Sequence, residues 1–185
     1  MRYLFVFLAF SLFLHASLYE ITHENEDQIS VLSELEIDQS FQQNSELQKL
    51  LENYSVYRRT LFLQVLSDAY IYFPLIKQML KEANLPPSLV YMAMAESNFN
   101  NSAYSRTKAV GMWQFMPKTA KIFGLKVDEY IDERRDPIKA TRAAIKYLTS
   151  LHKRFGKWYL AMMAYNCGGG RLNYAIKKAG SDTLE

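Results

Sequence analysis

Apolar side chains recur at helical spacing along most of this chain, and no run of strict alternation is long enough to predict a strand. Residues 47–80 follow a helical pattern, with Tyr54, Leu61, Val65, Tyr72 and Ile76 among the repeating apolar positions. Asn84-Leu85-Pro86-Pro87 starts a further helix, because proline is tolerated in a first turn that has no use for its missing N–H. The residues that follow, SLVYMAMAES, are apolar nearly all round, which predicts a buried helix. Pro117 opens a short helix that Gly124 can close, and Asp136-Pro137 opens another. Over residues 138–155, Ile138, Ile145, Leu148, Leu151 and Phe155 share one broad side, while Lys139, Arg142, Lys146, Ser150 and Lys153 share the other. Residues 158–165, WYLAMMAY, again predict a buried helix, stopped by Gly168-Gly169-Gly170. A last short helix is expected from about Arg171 to Ala179. Helices joined by short connections predict an all-α domain.

Composition narrows the class. The chain has 185 residues, 49% hydrophobic and 22% charged, which excludes a disordered tail. Seven Gly and five Pro exclude a collagen-like or linker-like chain. The length suits one domain with some extra. Arg2 is followed by an apolar run over residues 3–14, about half of the roughly 20 residues that cross a bilayer as a helix. With small residues after it, this reads as an export signal over residues 1–16. An uncleaved anchor, tying the protein to the membrane, is the alternative. The expected location is the periplasm.

Charge divides the remainder. Residues 17–52 hold nine Asp/Glu and one Lys, and read as an acidic leader. Residues 53–185 hold twenty Lys/Arg and ten Asp/Glu. Residues 53–83 are expected to form a helical lead-in and residues 84–180 the domain itself. The basic surface suits an anionic polymer or membrane, and the export signal argues against nucleic acid.

One residue breaks the hydrophobic pattern. Glu96 ends the apolar SLVYMAMAES run, and its helical neighbours Leu89, Met92, Ala93 and Phe99 cannot pair with a carboxylate. Burial there raises a carboxyl pKa, and a carboxylic acid kept protonated near neutral pH is what a general acid needs. The plainer alternatives are a side chain reaching water or pairing with an arginine such as Arg134.

Other chemistry is poorly supported. Cys167 is the single cysteine, which excludes an intrachain disulfide and a multi-thiolate metal site. His152 is the one histidine beyond the leader and lies on the polar side of its helix, so neither a Cys–His pair nor a histidine metal site is expected. Asp128, Glu129, Asp132, Glu133 and Asp136, interspersed with Arg134 and Arg135, read as structural rather than as a metal cage. The triple glycine lacks the Lys and Ser/Thr of a phosphate-binding loop. No cofactor is implied.

Three segments, taken in order, carry a family resemblance. MAMAESNFN holds Glu96-Ser97; AVGMWQFMP holds Gly111, Met112, Trp113, Gln114 and Pro117; AYNCGGG holds Tyr165, Asn166 and Gly168. Together they resemble the catalytic domain of the soluble-type lytic transglycosylases, with a goose-type lysozyme-like fold. Trp113 and the Arg134-Arg135-Asp136-Pro137 step are most similar to the membrane-bound lytic murein transglycosylase D branch. The resemblance covers roughly residues 84–178. Cys167 stands where a small Ala or Ser is usual in the family. The branch normally continues into a further tyrosine segment and wall-binding repeats, so a catalytic domain shortened at its C-terminal end is expected.

The resemblance implies peptidoglycan glycan strands as the substrate. It implies cleavage of the β-1,4 bond from N-acetylmuramic acid to N-acetylglucosamine without hydrolysis, leaving a 1,6-anhydro sugar. Glu96 would be the general acid and then the base. Ser105 corresponds to the family's serine near the N-acetyl group. Gln114 corresponds to its groove glutamine, with Met112 and Trp113 beside it. Tyr165 and Asn166 correspond to its Tyr-Asn pair. Two other readings remain. A lysozyme-type hydrolase would need a second carboxylate, Asp128 or Asp136. A non-catalytic peptidoglycan-binding scaffold would keep the groove without turnover.

Overall fold

The computed structural model describes residues 30–52 and 56–182. The expected export signal lies outside the described residues. Among those described, the secondary structure is helical, with three isolated antiparallel bridges and no strand. Besides a helical stretch at residues 30–34, the α-helices among the described residues include α1 Ser45–Glu52, α2 Val56–Asp68, α3 Tyr72–Glu82, α4 Val90–Ser97, α5 Pro117–Ile122, α6 Pro137–Phe155, α7 Trp158–Cys167 and α8 Gly169–Ala179. They fall into two compact units. One is Val56–Thr149; the other combines the described residues before Val56 with those from Ser150 onward.

In the first unit the long helical stretch expected over residues 47–80 is divided. A turn at residues 69–71 separates α2 from α3. The signal for the break is Pro74, whose ring would clash with the carbonyl of Tyr70 if the helix ran through. Asn84 closes α3 at φ +58, and Leu85 N–H returns to the Leu80 carbonyl at 2.9 Å. Pro87 then opens a short 3-10 turn leading into α4. As predicted, α4 is apolar all round and buries Val90, Tyr91, Met92, Ala93 and Met94. It packs on α3, where the Phe73 ring lies 5.6 Å from Tyr91 and 6.1 Å from Phe99, centre to centre. Asn98, at φ +53, ends α4 just past Glu96. On α6 the predicted polar side is exposed at Lys139, Arg142, Lys146, Ser150 and Lys153. Its buried side is made mainly of small residues, Ala140, Thr141, Ala143 and Ala144, with Leu148 and Leu151.

In the second unit the acidic stretch is a leader in charge but not in packing. Val31, Leu32, Leu35 and Leu47 are fully enclosed, and Ile37 and Phe41 nearly so. Asp38 caps a 3-10 turn at Gln39–Gln43, and the Asn44 side chain accepts from the backbone of Glu46 and Leu47 to start α1. The Glu36 carboxylate accepts the N–H of Trp158 at 2.6 Å and meets the His152 imidazole at 2.9 Å. That imidazole stacks on the Trp158 indole at 4.0 Å. Glu36 thus caps α7 from a distant part of the chain, where a negative charge is favoured by the helix dipole. The triple glycine does not act as one stop. Gly168 alone, at φ +85, separates the helices, and Gly169 and Gly170 already belong to α8. A Cβ on Gly169 would lie 2.9 Å from the Arg154 guanidinium, the mobile end of a long side chain that can move aside, so this position does not demand glycine as Gly168 does at its positive φ.

Candidate active site

Glu96 is the penultimate residue of α4 and half-buried. One turn before it in the helix stand Met92 and Ala93, nearly and fully enclosed, while Phe99, expected at helical spacing, lies beyond the left-handed Asn98 that ends the helix. Loss of hydration pushes its carboxyl up from 4.5 to about 7. No hydrogen bond or ion pair holds it among the described residues. Arg134 does not supply one. Its guanidinium grips both oxygens of Asp132 at 2.7 Å and donates to the carbonyls of Lys108 at 2.9 Å and Phe115 at 3.0 Å. Arg134 is only 5% exposed, so that fork is fully committed.

The segment after α4 folds back against it. Ser97 Oγ donates to the Met112 carbonyl at 2.9 Å and accepts from Asn100 N–H at 3.1 Å. Gly111 N–H donates to the Ala103 carbonyl at 2.9 Å, and antiparallel bridges pair Tyr104 with Val110 and Val110 with Phe115. Gly111 sits at φ +81, and a Cβ there would lie 1.9 Å from the carbonyl oxygen of Arg134. Any other side chain would force the two backbones apart. Gln114, at φ +46, returns its amide to the Gly111 carbonyl at 2.9 Å.

The predicted site residues separate into three groups. Glu96, Ser105 and Gln114 lie in one unit, on α4 and the bridged loop that follows it, and all three are partly exposed. Ser105 Oγ accepts from Ala109 N–H at 2.9 Å and lies 2.9 Å from Thr107 Oγ1. Met112 and Trp113 share this loop but have no exposed surface. Instead of presenting a face to a ligand, Trp113 donates its indole N–H to Thr141 Oγ1 at 3.0 Å, and Thr141 in turn donates to the Pro137 carbonyl at 2.7 Å. Tyr165, half-buried, and Asn166, exposed, end α7 in the other unit.

The remaining candidates have structural work. Asp128 accepts the N–H groups of Tyr130 and Ile131 at 2.9 and 2.8 Å, which hold its carboxyl below the usual range. Asp136 accepts the N–H groups of Ile138 and Lys139 at the start of α6. Both carboxylates proposed as a hydrolase's second group are therefore backbone caps. Glu133 accepts Lys126 N–H and pairs with Lys139. The Cys167 thiol points to the Gly168 carbonyl at 3.6 Å, while the His152 ring is engaged by Glu36 and Trp158. Sequence reasoning missed the Ser97 tie, although Ser97 directly follows the one anomalous carboxylate. It also missed the Arg134 clamp, which no local pattern announces.

A family model described as the transglycosylase SLT domain matches residues 73–184. This exceeds half of the chain, and the chain belongs to that family; its all-helical architecture agrees with the lysozyme-like fold expected of it. It is similar to a "Putative tributyltin chloride resistance protein" of Alteromonas, 43% identical over 111 residues, 60% of this chain and 53% of that one. It is also similar to the membrane-bound lytic murein transglycosylase D of Escherichia coli, 39% identical over 112 residues, 60% of this chain and 24% of that one. A third relative, the peptidoglycan transglycosylase gp16 of Escherichia phage T7, is 45% identical over 83 residues, 44% of this chain and 6% of that one. The aligned segment spans about half of the first relative's length and a quarter of the second's.

Proposed function

We propose that this chain is a lytic transglycosylase that cuts peptidoglycan glycan strands at the bond from N-acetylmuramic acid C1 to N-acetylglucosamine O4. The observation that carries the reading is Glu96, a carboxyl without a partner among the described residues and pushed up to about 7 by burial. About half of such groups are protonated at neutral pH, and the same group becomes an effective base once it has given its proton away. Glu96 protonates the leaving O4 as the C1–O4 bond breaks. The muramoyl 6-hydroxyl then attacks C1, and its proton passes to the Glu96 carboxylate. The products are a 1,6-anhydro muramoyl end and a free 4-hydroxyl, with no water consumed and Glu96 restored.

An intramolecular nucleophile removes the need for a second carboxylate, because its effective molarity can be very large. The capping roles of Asp128 and Asp136 favour this over a hydrolase. Ser105 and Gln114 supply hydroxyl and amide groups for the sugar's N-acetyl and hydroxyl groups. Met112 and Trp113 support that loop from within. Tyr165 and Asn166 carry the ring, hydroxyl and amide types that sugar ligands use. The working location is the cell envelope, where this polymer lies; among the described residues no helix is long and apolar enough to cross a membrane.

Glu96→Gln tests the reading. It should abolish release of fragments from purified peptidoglycan while the variant still sediments with the insoluble polymer. Undiminished release would place the acid elsewhere. Binding without release by both proteins would favour a scaffold.

A further inference from the structure

The loop leaving α4 carries a feature that bond cleavage does not use. Its backbone is held on several sides between Asn100 and Val110. Asn100 Oδ1 accepts Ser102 N–H at 2.8 Å, and Arg135 donates to the Ser102 carbonyl at 3.0 Å. Ser105 N–H donates to the Ala109 carbonyl at 2.9 Å and Lys108 N–H to the Ser105 carbonyl at 3.0 Å. Arg134 clamps the Lys108 carbonyl from inside. Lys108 is held at φ +68, a conformation that residues other than glycine adopt at some cost.

On this fixed frame Tyr104 is 63% exposed, and Arg106, Thr107 and Lys108 are all exposed. Neither Arg106 nor Lys108 has a carboxylate partner among the described residues. In the neighbouring stretch Asp132 is committed to Arg134, Glu133 to Lys139, Asp128 to Lys126 and Asp136 to the backbone at the start of α6. The loop is tied by Ser97 to the end of α4, one residue from Glu96. Two exposed cations without a carboxylate partner among the described residues and an exposed tyrosine therefore stand on a held backbone, in the loop that follows the helix carrying the acid.

Neutral sugar rings give such cations nothing to pair with. The peptide substituents on muramoyl residues do, because they carry free carboxylates. We propose that the loop over residues 102–108 recognises these peptide carboxylates, with Arg106 and Lys108 as their ion partners and Tyr104 packing against the peptide or its sugar. The chain then prefers strands whose peptide carboxylates are free to strands in which they are masked as neutral amides. This inference rests on the glycan-cleaving reading above.

The full chain and an Arg106→Gln/Lys108→Gln double variant are assayed on peptide-bearing strands and on the same strands with their peptide carboxylates converted to neutral amides, because stripping the peptide with an amidase would free a lactyl carboxylate on every muramoyl residue. Both substitutions fall on exposed side chains, and circular dichroism checks that the variant is folded. The ratio of kcat/KM for the two substrates should fall roughly three- to ten-fold in the variant, through KM, as expected for two solvent-exposed ion pairs. The wild-type preference should also shrink at high salt. An unchanged ratio, or an equal loss on both substrates, overturns the proposal. The same comparison by sedimentation in a Glu96→Gln background separates this idea from the cleavage reading. Preferential binding of the strands with free peptide carboxylates supports the loop's role even if the wild type cuts neither polymer. Equal binding of both polymers contradicts it.

Discussion

The hydroxyl of Ser97 donates to the backbone carbonyl of Met112 at 2.9 Å, joining the last turn of α4 to the loop that carries Gln114. Glu96 is thereby followed at once by a tether, and the loop cannot drift from the acid without losing a partly buried hydrogen bond. Ser97→Ala should cost about 1 kcal/mol of stability. Activity should fall mainly in kcat, since loss of positioning acts on the reacting geometry. A thermal melt with steady-state kinetics checks both. A pure KM effect would separate the tether from the acid.

Activity should depend on the protonation of Glu96. With its carboxyl at about 7, kcat/KM should decline on the alkaline side as pH rises through that value, and a measured pH profile should show the limb near 7 rather than near 4.5.

The same group sets a stability trend. A raised carboxyl pKa means that the folded chain binds more protons than the unfolded one between about 4.5 and 7, so stability is lost as pH rises through that window and stays low above it. Below 4.5 both states are protonated and the difference vanishes. Glu96→Gln should therefore stabilise the protein by about 1–3 kcal/mol at pH 8 and very little at pH 4, the range allowing for partial exposure. Melting temperatures of both proteins at the two pH values decide it.

Gly111 in the loop and Arg134, which clamps it from the turn before α6, should be the least tolerant positions around the site. Gly111→Ala places a Cβ against the Arg134 backbone at an unfavourable φ, and should cost about 3 kcal/mol or more. Arg134→Met strands the Asp132 carboxylate and two carbonyls and should cost about 3–5 kcal/mol. Denaturant titration measures both.

Glu36 lies well outside the family match, yet its carboxylate caps α7. Glu36→Ala should lower stability by about 1–2 kcal/mol, and Glu36→Gln, which keeps an acceptor, by less. Leu32→Ala, at a fully enclosed position, should cost about 2–5 kcal/mol. Equal stability of all three variants with the wild type would mean that the leader contributes no packing.

Much of this was legible in the sequence. The all-round apolar run in α4 predicted its burial, and the solitary carboxylate there was found from its apolar neighbours alone. In α6 the polar side was predicted correctly, while of the expected apolar side only Leu148 and Leu151 are buried, beside the small residues Ala140, Ala143 and Ala144. What the sequence hid were relationships at long range. The burial of Trp113 depends on Thr141, 28 residues away, and the burial of Leu32 and Leu35 is masked by the acidic residues around them. Arg134 looked available to Glu96 because its true acceptors include backbone carbonyls, which no residue pattern reveals. Only one of the three glycines, Gly168 at its positive φ, was needed to end α7.

The most direct test is the mass of the fragments that the chain releases from purified peptidoglycan. Acid–base catalysis by Glu96 on an internal nucleophile predicts muropeptides ending in 1,6-anhydro muramic acid, lighter by one water than reducing-end products, and none from the Glu96→Gln variant. Reducing ends would mean that water is the nucleophile and would contradict the mechanism.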